Sequence, residues 1–224
     1  MSSFSDTFLN MDVLARYAPS ILKGVGVTIL LSVLIVLTGV VVGTLLACLR
    51  SFRVRLLSFF IVVFADIFRA LPPLVLILLA FFGLPNIGVV LTSFTVLYLV
   101  LALVLAAFAE EIVWAGITAT PKGQWEAARS TGLGYTQTLG YVVLPQALRM
   151  VIPPLTNRAI AITKMTALGM VIGVPDILGQ ATTAQSFSAN ASPLTLAAVA
   201  YVVIFLPLVV LSRWLETRFS RGAA

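Results

Sequence analysis

Charged residues break into the apolar runs of this chain at spacings that can do chemistry. Asp66 and Arg69 lie three apart, Glu110 and Glu111 are neighbours, and Arg158 and Lys164 sit six apart in one stretch. An ionisable side chain inside hydrocarbon is expensive and is a functional candidate by default. Arg69 or Lys164 can hold a carboxylate, and Glu110 or Glu111 can hold an ammonium. With the Thr166 hydroxyl nearby in sequence, these residues would line a path for a zwitterion. The alternative is mutual neutralisation: Asp66 with Arg69 at helical i,i+3 spacing, and a glutamate with Arg158 or Lys164. An unpaired buried charge costs several kcal/mol, about 3–5 when one partner of a pair is removed. Other chemistries lack their residues. The chain has no His and one Cys, Cys48, which leaves no imidazole base, no His- or Cys-ligated metal and no intrachain disulfide. It has no G-x-x-x-x-G-K-[ST] phosphate loop. It is therefore expected to bind no cofactor or metal and to be no enzyme by itself.

The elements that must position these residues follow from hydropathy. Of 224 residues, 60% are hydrophobic and 10% charged, and the mean hydropathy is +1.11. Soluble domains carry about 25% charged residues, so lipid is the fitting solvent. The net charge of +6 then marks basic membrane-flanking loops rather than nucleic-acid binding. Runs 24–49, 56–82, 89–118 and 194–212 are long enough to cross hydrocarbon as helices. A fifth, 146–174, is interrupted by Pro153, Pro154, Asn157, Arg158 and Lys164 and is expected to be broken or kinked. Pro72 and Pro73 should kink the second run. The expected fold class is an all-α membrane protein with five transmembrane helices. Residues 1–18 contain no cleavable leader pattern. Phe4, Phe8, Met11, Val13, Leu14 and Tyr17 would give that segment the apolar stripe of a short helix on the membrane surface. Gly39 and Gly43 form a GxxxG that lets another helix approach closely.

Sidedness comes from the basic residues. Arg50, Arg53 and Arg55 follow the first run, Lys122, Arg129 and Arg149 the third, and Arg213, Arg218 and Arg221 the last. The connections 83–88 and 175–192 carry no Lys or Arg. Lys and Arg stay on the cytoplasmic side. The N-terminus is thus expected outside, the C-terminus inside, 119–145 as a cytoplasmic loop and 175–192 as an outer one; Arg16 and Lys23 count weakly against this.

The cytoplasmic loop holds a polar island, KGQWEAARSTGLGYTQTLGYVVLPQALR, residues 122–149. Pro121 can start a helix, and Gly132 can end it in a left-handed conformation. About two turns are too short to be stable alone, so the helix needs bracing. Glu126 lies near its positive end. Ala127 and Ala128 leave a slim face that fits a groove in a partner.

EAARSTG, nine residues, then VVLP fits the pattern E-A-A-x3-G-x9-I-x-L-P, with Val142 in place of Ile. This resembles the cytoplasmic loop of the membrane-spanning subunits of bacterial ABC importers. GVGVTILLSVLIVLTGVVVGTLLACLR, FADIFRALPPLVLILLAFFGLP, PKGQWEAA and LPQALRMVIPPLTN are similar to segments of the polar amino acid uptake subfamily. The resemblance implies a type I ABC importer permease fold spanning 1–224 as a single transmembrane permease domain. It implies a second permease subunit (homo- or heterodimer), two ATPase subunits carrying ATP and Mg, and an extracytoplasmic substrate-binding protein. It places the chain in the lipid bilayer of a bacterial cytoplasmic (inner) membrane, with no nucleic acid. It implies that the short helix, through Glu126, Ala127, Ala128 and Gly132, couples to a cleft of the ATPase.

Two departures bear on substrate. Where the subfamily has K-D-T-S-L, this chain reads Lys164, Met165, Thr166, Ala167, Leu168, without the acid. Where it has A-Y-x-x-E-I-x-R-G, residues 107–115 keep Glu111, add Glu110 and place Trp114 at the Arg. Either this subunit is the non-binding half of a heterodimer or the substrate is not a typical basic amino acid. The expected function is permeation of a polar amino acid or similar small zwitterion, driven by a separate ATPase. The alternatives are an ion-gradient-driven secondary carrier working as a dimer and an ABC permease for another solute such as an opine. Secondary carriers are usually built from inverted repeats, and this chain contains no internal repeat.

Overall fold

The computed structural model describes residues 4–220. Met1–Ser3 of the N-terminal segment, and Arg221 of the basic tail, lie outside them. Among the described residues the chain is helical nearly throughout, with no strand. The helices are α1 (Phe4–Phe8), α2 (Met11–Ser51), α3 (Arg55–Ala70), α4 (Pro73–Gly83), α5 (Ser93–Ala119), α6 (Lys122–Ser130), α7 (Tyr135–Thr138), α8 (Leu144–Lys164), α9 (Ile177–Ser188) and α10 (Ser192–Ser220). A π turn, Leu139–Val143, joins α7 to α8, and 3-10 helix follows α4 at Leu84–Ile87 and α8 at Met165–Ile172. Four stretches, Phe4–Ser51, Ser93–Ala119, Tyr135–Ser188 and Ser192–Phe219, are long and apolar enough to cross a membrane. The bent pair Arg55–Ala70 and Pro73–Ile87 makes five when taken as one.

Three local outcomes differ from the sequence expectation. First, residues 11–18 are not a separate surface helix but the opening turns of α2, which holds Pro19 inside it. Asn10 caps that start: its Oδ1 accepts from the N–H groups of Asp12 (3.1 Å) and Val13 (3.2 Å). Second, the Pro72–Pro73 site is a full break. Leu71 precedes one proline and Pro72 precedes the next, and a residue before proline is pushed out of the α region. Both are extended, with ψ of 137° and 131°, so two successive residues leave the helix. Third, Pro153 and Pro154 lie inside α8 without ending it. Ala147 and Val151 on the same helix pack with Val113 and Ile117 of α5 in a buried cluster, and an added Cβ at Gly116 would lie 2.6 Å from Val151 Cγ1. That close packing outweighs the local preference. The break expected in 146–174 is present, but after Lys164, where 3-10 helix runs over Met165–Ile172 and is closed by left-handed Gly173 (φ +79°).

The chain divides into two compact units. One comprises residues up to Val36, Pro72–Leu101 and Ile160–Val209; the other comprises Leu37–Leu71, Ala102–Ala159 and the chain from Val210. In the first, Ile21, Ile177, Ala181 and Ala197 form a buried cluster. Asp176 has no exposed surface and caps α9, accepting from Gly179 N–H at 2.8 Å and from the Tyr201 hydroxyl at 3.2 Å. Gly24 lies against the Asp176 backbone so closely that a Cβ would sit 2.7 Å from its carbonyl oxygen. α1 is tied to the chain before α10 by Asn190 Nδ2 to Asp6 O (2.8 Å) and Ala191 N–H to Thr7 O (3.1 Å).

In the second unit the GxxxG brings α2 onto α5. A Cβ on Gly39 would meet the Leu105 side chain at 2.8 Å, and one on Gly43 would meet Ala106 O at 2.5 Å and Glu110 N at 2.9 Å. Backbone atoms cannot yield as a side-chain tip can. Gly43→Leu should therefore lower the thermal unfolding midpoint of the detergent-purified chain, reflecting at least about 1–3 kcal/mol of overpacking. Gly26→Leu, with nothing within 4 Å of the added Cβ, should leave the midpoint unchanged.

Candidate functional site

The close α2–α5 contact decides where the acidic residues point. Arg50, in the last turn of α2, lies seven residues beyond Gly43 and so on the same helical face. Its Nη1 donates to Glu110 Oε1 at 3.0 Å, and its guanidinium stacks over Trp114, 4.7 Å from the ring centroid. Glu110 has no exposed surface. Its carboxylate is thus engaged by Arg50. Sequence reasoning assigned Arg50 to a basic loop and missed this partner. The signal was available in the i,i+7 relation to Gly43 and in Trp114, one turn after Glu110.

Glu111 faces elsewhere. Its Oε2 lies 2.5 Å from Arg69 Nη2, and its side chain is 46% exposed. Asp66 is a looser second partner for Arg69, at 3.7 Å and i,i+3 spacing. Arg69 also flanks Phe108, 5.7 Å from the ring centroid, while Arg158 stacks on that ring at 3.9 Å. The pairing of Arg158 or Lys164 with a glutamate is not found: among the described residues neither cation has a carboxylate within 4.0 Å. Arg69 Nε is buried and has no acceptor. Asn157, next to Arg158, instead binds toward the chain's end, donating to Glu216 and accepting from the Ser212 hydroxyl.

Lys164 and Thr166 belong to the other unit. Lys164 is exposed at the end of α8, its Nζ 5.7 Å from the Phe205 ring, in a cavity of about 460 Å³ lined also by Ala167, Tyr201 and Leu206. Thr166 is fully buried and its hydroxyl donates to Thr163 O at 2.9 Å, so it has no free donor for a solute.

The polar island forms α6. Pro121 stands just before the helix as its cap rather than as its first residue. Gly132 is left-handed, φ +89°, and the side chains of Ser130 and Thr131 donate to the Glu126 and Ala128 carbonyls at 2.9 and 2.7 Å. The bracing comes from aromatics. Trp125 stacks on Tyr135 with centroids 5.2 Å apart, Phe52 lies 5.3 Å from the same ring, and the Tyr135 hydroxyl donates to Ser51 O at 2.5 Å. Beside them is a cavity of about 390 Å³ lined by Ser51, Arg53, Trp114, Thr120, Trp125 and Glu126, among others. Glu126 and Ala127 are exposed, whereas Ala128 is turned inward, 7% exposed. The slim outer face is therefore formed by Ala127 without Ala128.

The two glutamates should respond differently to neutralisation. Glu110→Gln leaves a half-buried Arg50 without its partner and should destabilise the purified chain by about 3 kcal/mol. Arg50→Met with Glu110→Gln should recover part of that loss in a double-mutant cycle. Glu111→Gln removes a half-exposed pair and should change stability by less than about 1 kcal/mol. Thermal unfolding in one detergent reads all three.

Comparison with known proteins fits this arrangement. Residues 39–221 match the family described as binding-protein-dependent transport system inner membrane component. The chain is 35% identical over 216 residues to the probable glutamine ABC transporter permease protein GlnP of Bacillus subtilis (strain 168), covering 93% of this chain and 99% of that one. It is 30% identical over 216 residues to the arginine transport system permease protein ArtQ of the same organism, covering 95% and 99%. Its fold matches the crystal structure of an amino acid ABC transporter with histidines, with a TM-score of 0.84 and 31% identity over 94% of this chain and 99% of that chain. The helical architecture is thus that of a type I ABC permease, and the chain belongs to the family of binding-protein-dependent transport system inner membrane components.

Proposed function

We propose that the chain is the membrane-spanning permease subunit of an ATP-driven importer for a polar amino acid or a similar small zwitterion. It would work as a single permease domain, 1–224, in a bacterial inner membrane. The observation that carries this reading is α6, a short polar helix that presents Glu126 and Ala127 outward and is braced from behind by Trp125 and Tyr135. A helix of nine residues is too short to persist without such bracing, and an outward polar face on a membrane protein calls for a partner. The names of the relatives support an amino acid as solute. The partners are a second permease subunit, two ATPase subunits that bind ATP and Mg, and an extracytoplasmic substrate-binding protein. The basic residues at 50–55, 122–129 and 213–218 support α6 and the C-terminus on the cytoplasmic side and the N-terminus outside.

Along the solute path we propose Arg69 and Glu111, partly exposed and oppositely charged; Lys164, in the other unit, is proposed separately as a solute contact of that unit. The unused Arg69 Nε donor supports Arg69 as the carboxylate contact. Glu110 has the role of holding Arg50.

Reconstitution with the partner ATPase and binding protein in vesicles tests the coupling. Glu126→Lys should reduce ATP-driven uptake at least tenfold with an unchanged amount of inserted chain; normal uptake would remove α6 from the coupling, and uptake without ATP would make the chain a gradient-driven carrier. Arg69→Met should raise the KM for the solute about tenfold or more, as the loss of a charge-assisted hydrogen bond predicts. An unchanged KM would return Arg69 to a purely structural pair with Glu111.

A further inference from the structure

The corner between α2 and α3 carries three arginines, of which Arg50 holds Glu110 and Arg53 also borders the cavity beside α6. Arg50, Arg53 and Arg55 line a groove of about 470 Å³ together with Ser58, Phe59 and Val62. Residues 55, 58, 59 and 62 follow i, i+3, i+4, i+7 spacing and so form one face of α3. The groove therefore begins among guanidinium groups and runs on for about 10 Å along an apolar helix face, at 1.5 Å per residue. Trp114 forms part of its wall.

The charges in this groove are unbalanced. Arg50 is neutralised by Glu110. Arg53 and Arg55 are exposed, and among the described residues neither has a carboxylate within 4.0 Å. Arg53 is moreover held left-handed, φ 57°, a conformation that non-glycine residues seldom adopt. Phe52, Val54, Leu56, Phe59 and Phe60 around it are exposed, which is the surface of a chain that meets hydrocarbon. Two uncompensated guanidinium groups beside such a surface match one kind of molecule on both counts. Guanidinium forks fit phosphate oxygens, and the apolar helix face fits an acyl chain. A free phosphate would leave the apolar part of the groove uncovered.

We infer that this groove is a binding site for an anionic glycerophospholipid, its phosphate held between Arg53 and Arg55 and one acyl chain lying along Ser58, Phe59 and Val62 of α3. The inference stands apart from the transport reading, because it requires no solute, ATP or partner subunit.

The test is native mass spectrometry of the full chain, delipidated in a neutral detergent and titrated with phosphatidylglycerol or phosphatidylcholine of the same acyl chains. The native chain should retain phosphatidylglycerol preferentially. Arg53→Gln with Arg55→Gln should weaken that retention by about fivefold for each arginine replaced, the factor for one basic residue near an anionic membrane surface. Arg149→Gln, an exposed arginine outside the groove, should leave it unchanged. Arg53→Lys with Arg55→Lys keeps both charges but loses the guanidinium forks and should weaken the preference part-way, which provides the readout if the glutamine pair fails to fold. Equal retention of the two lipids by the native chain overturns the proposal, as does an equal loss in Arg149→Gln. Displacement of the lipid by millimolar inorganic phosphate would assign the arginines to a soluble anion. Unchanged lipid retention in the glutamine pair, accompanied by loss of ATPase capture, would assign them to a protein partner.

Discussion

Glu110 has no exposed surface, and the hydrocarbon that its helix crosses offers a carboxylate nothing. Arg50, at 3.0 Å, is its one ionic partner among the described residues, and much of the second unit follows from bringing the two together. The contact requires the last turn of α2 to lie against the middle of α5. That in turn requires glycine at 39 and 43, where a Cβ would strike Leu105 and the Ala106 carbonyl. With α2 and α5 so placed, Ser51 ends its helix where its carbonyl meets the Tyr135 hydroxyl, and Tyr135 carries the ring on which Trp125 rests. A buried charge pair thus sets the seat of a helix that lies outside the apolar interior.

The same pair separates two adjacent glutamates into two roles. Successive residues on a helix point about 100° apart, and Glu110 and Glu111 make their close ion pairs with different arginines. One is sealed against Arg50 and Trp114, and the other stays half-exposed against Arg69. Trp114 stands where the resembling subfamily has arginine. Here its ring supports the Arg50 guanidinium, so the change from cation to aromatic avoids a second positive charge beside Arg50.

The apolar runs were legible in the sequence because hydrophobic length alone decides what can cross hydrocarbon. The two proline pairs were not, because the same dipeptide meets different surroundings. At Leu71–Pro72 the local preference for extended backbone prevails. At Pro153–Pro154 the packing of Ala147 and Val151 against α5 prevails. The start of α2 was missed because its cap is a single asparagine, Asn10, with no capping-box partner to flag it. Among the site residues, the Asp66–Arg69 spacing was legible, but the stronger Arg69–Glu111 contact joins distant segments and has no local signature. Arg50 was hidden by its position: a basic residue at the end of an apolar run reads as a marker of sidedness, and only the glycine face turns it inward. Ala128 looked like part of an outer face because periodicity does not say which side of a short helix is covered.

The attachment of α6 has a mechanical consequence. The helix is joined to α7 by Thr131–Gly134, in which Gly132 is left-handed and Gly134 extended, a soft hinge in the covalent chain. It is also joined through Trp125, Tyr135 and the Ser51 carbonyl to the end of α2, a link of stacked rings and one short hydrogen bond that yields little. At the other end of α6 two residues, Thr120 and Pro121, join it directly to α5, so three links act in parallel, and in parallel the stiffer ones carry the load. A force applied to α6 is therefore delivered to the end of α2, next to Arg50, and to the end of α5, while the glycine hinge absorbs the change in angle.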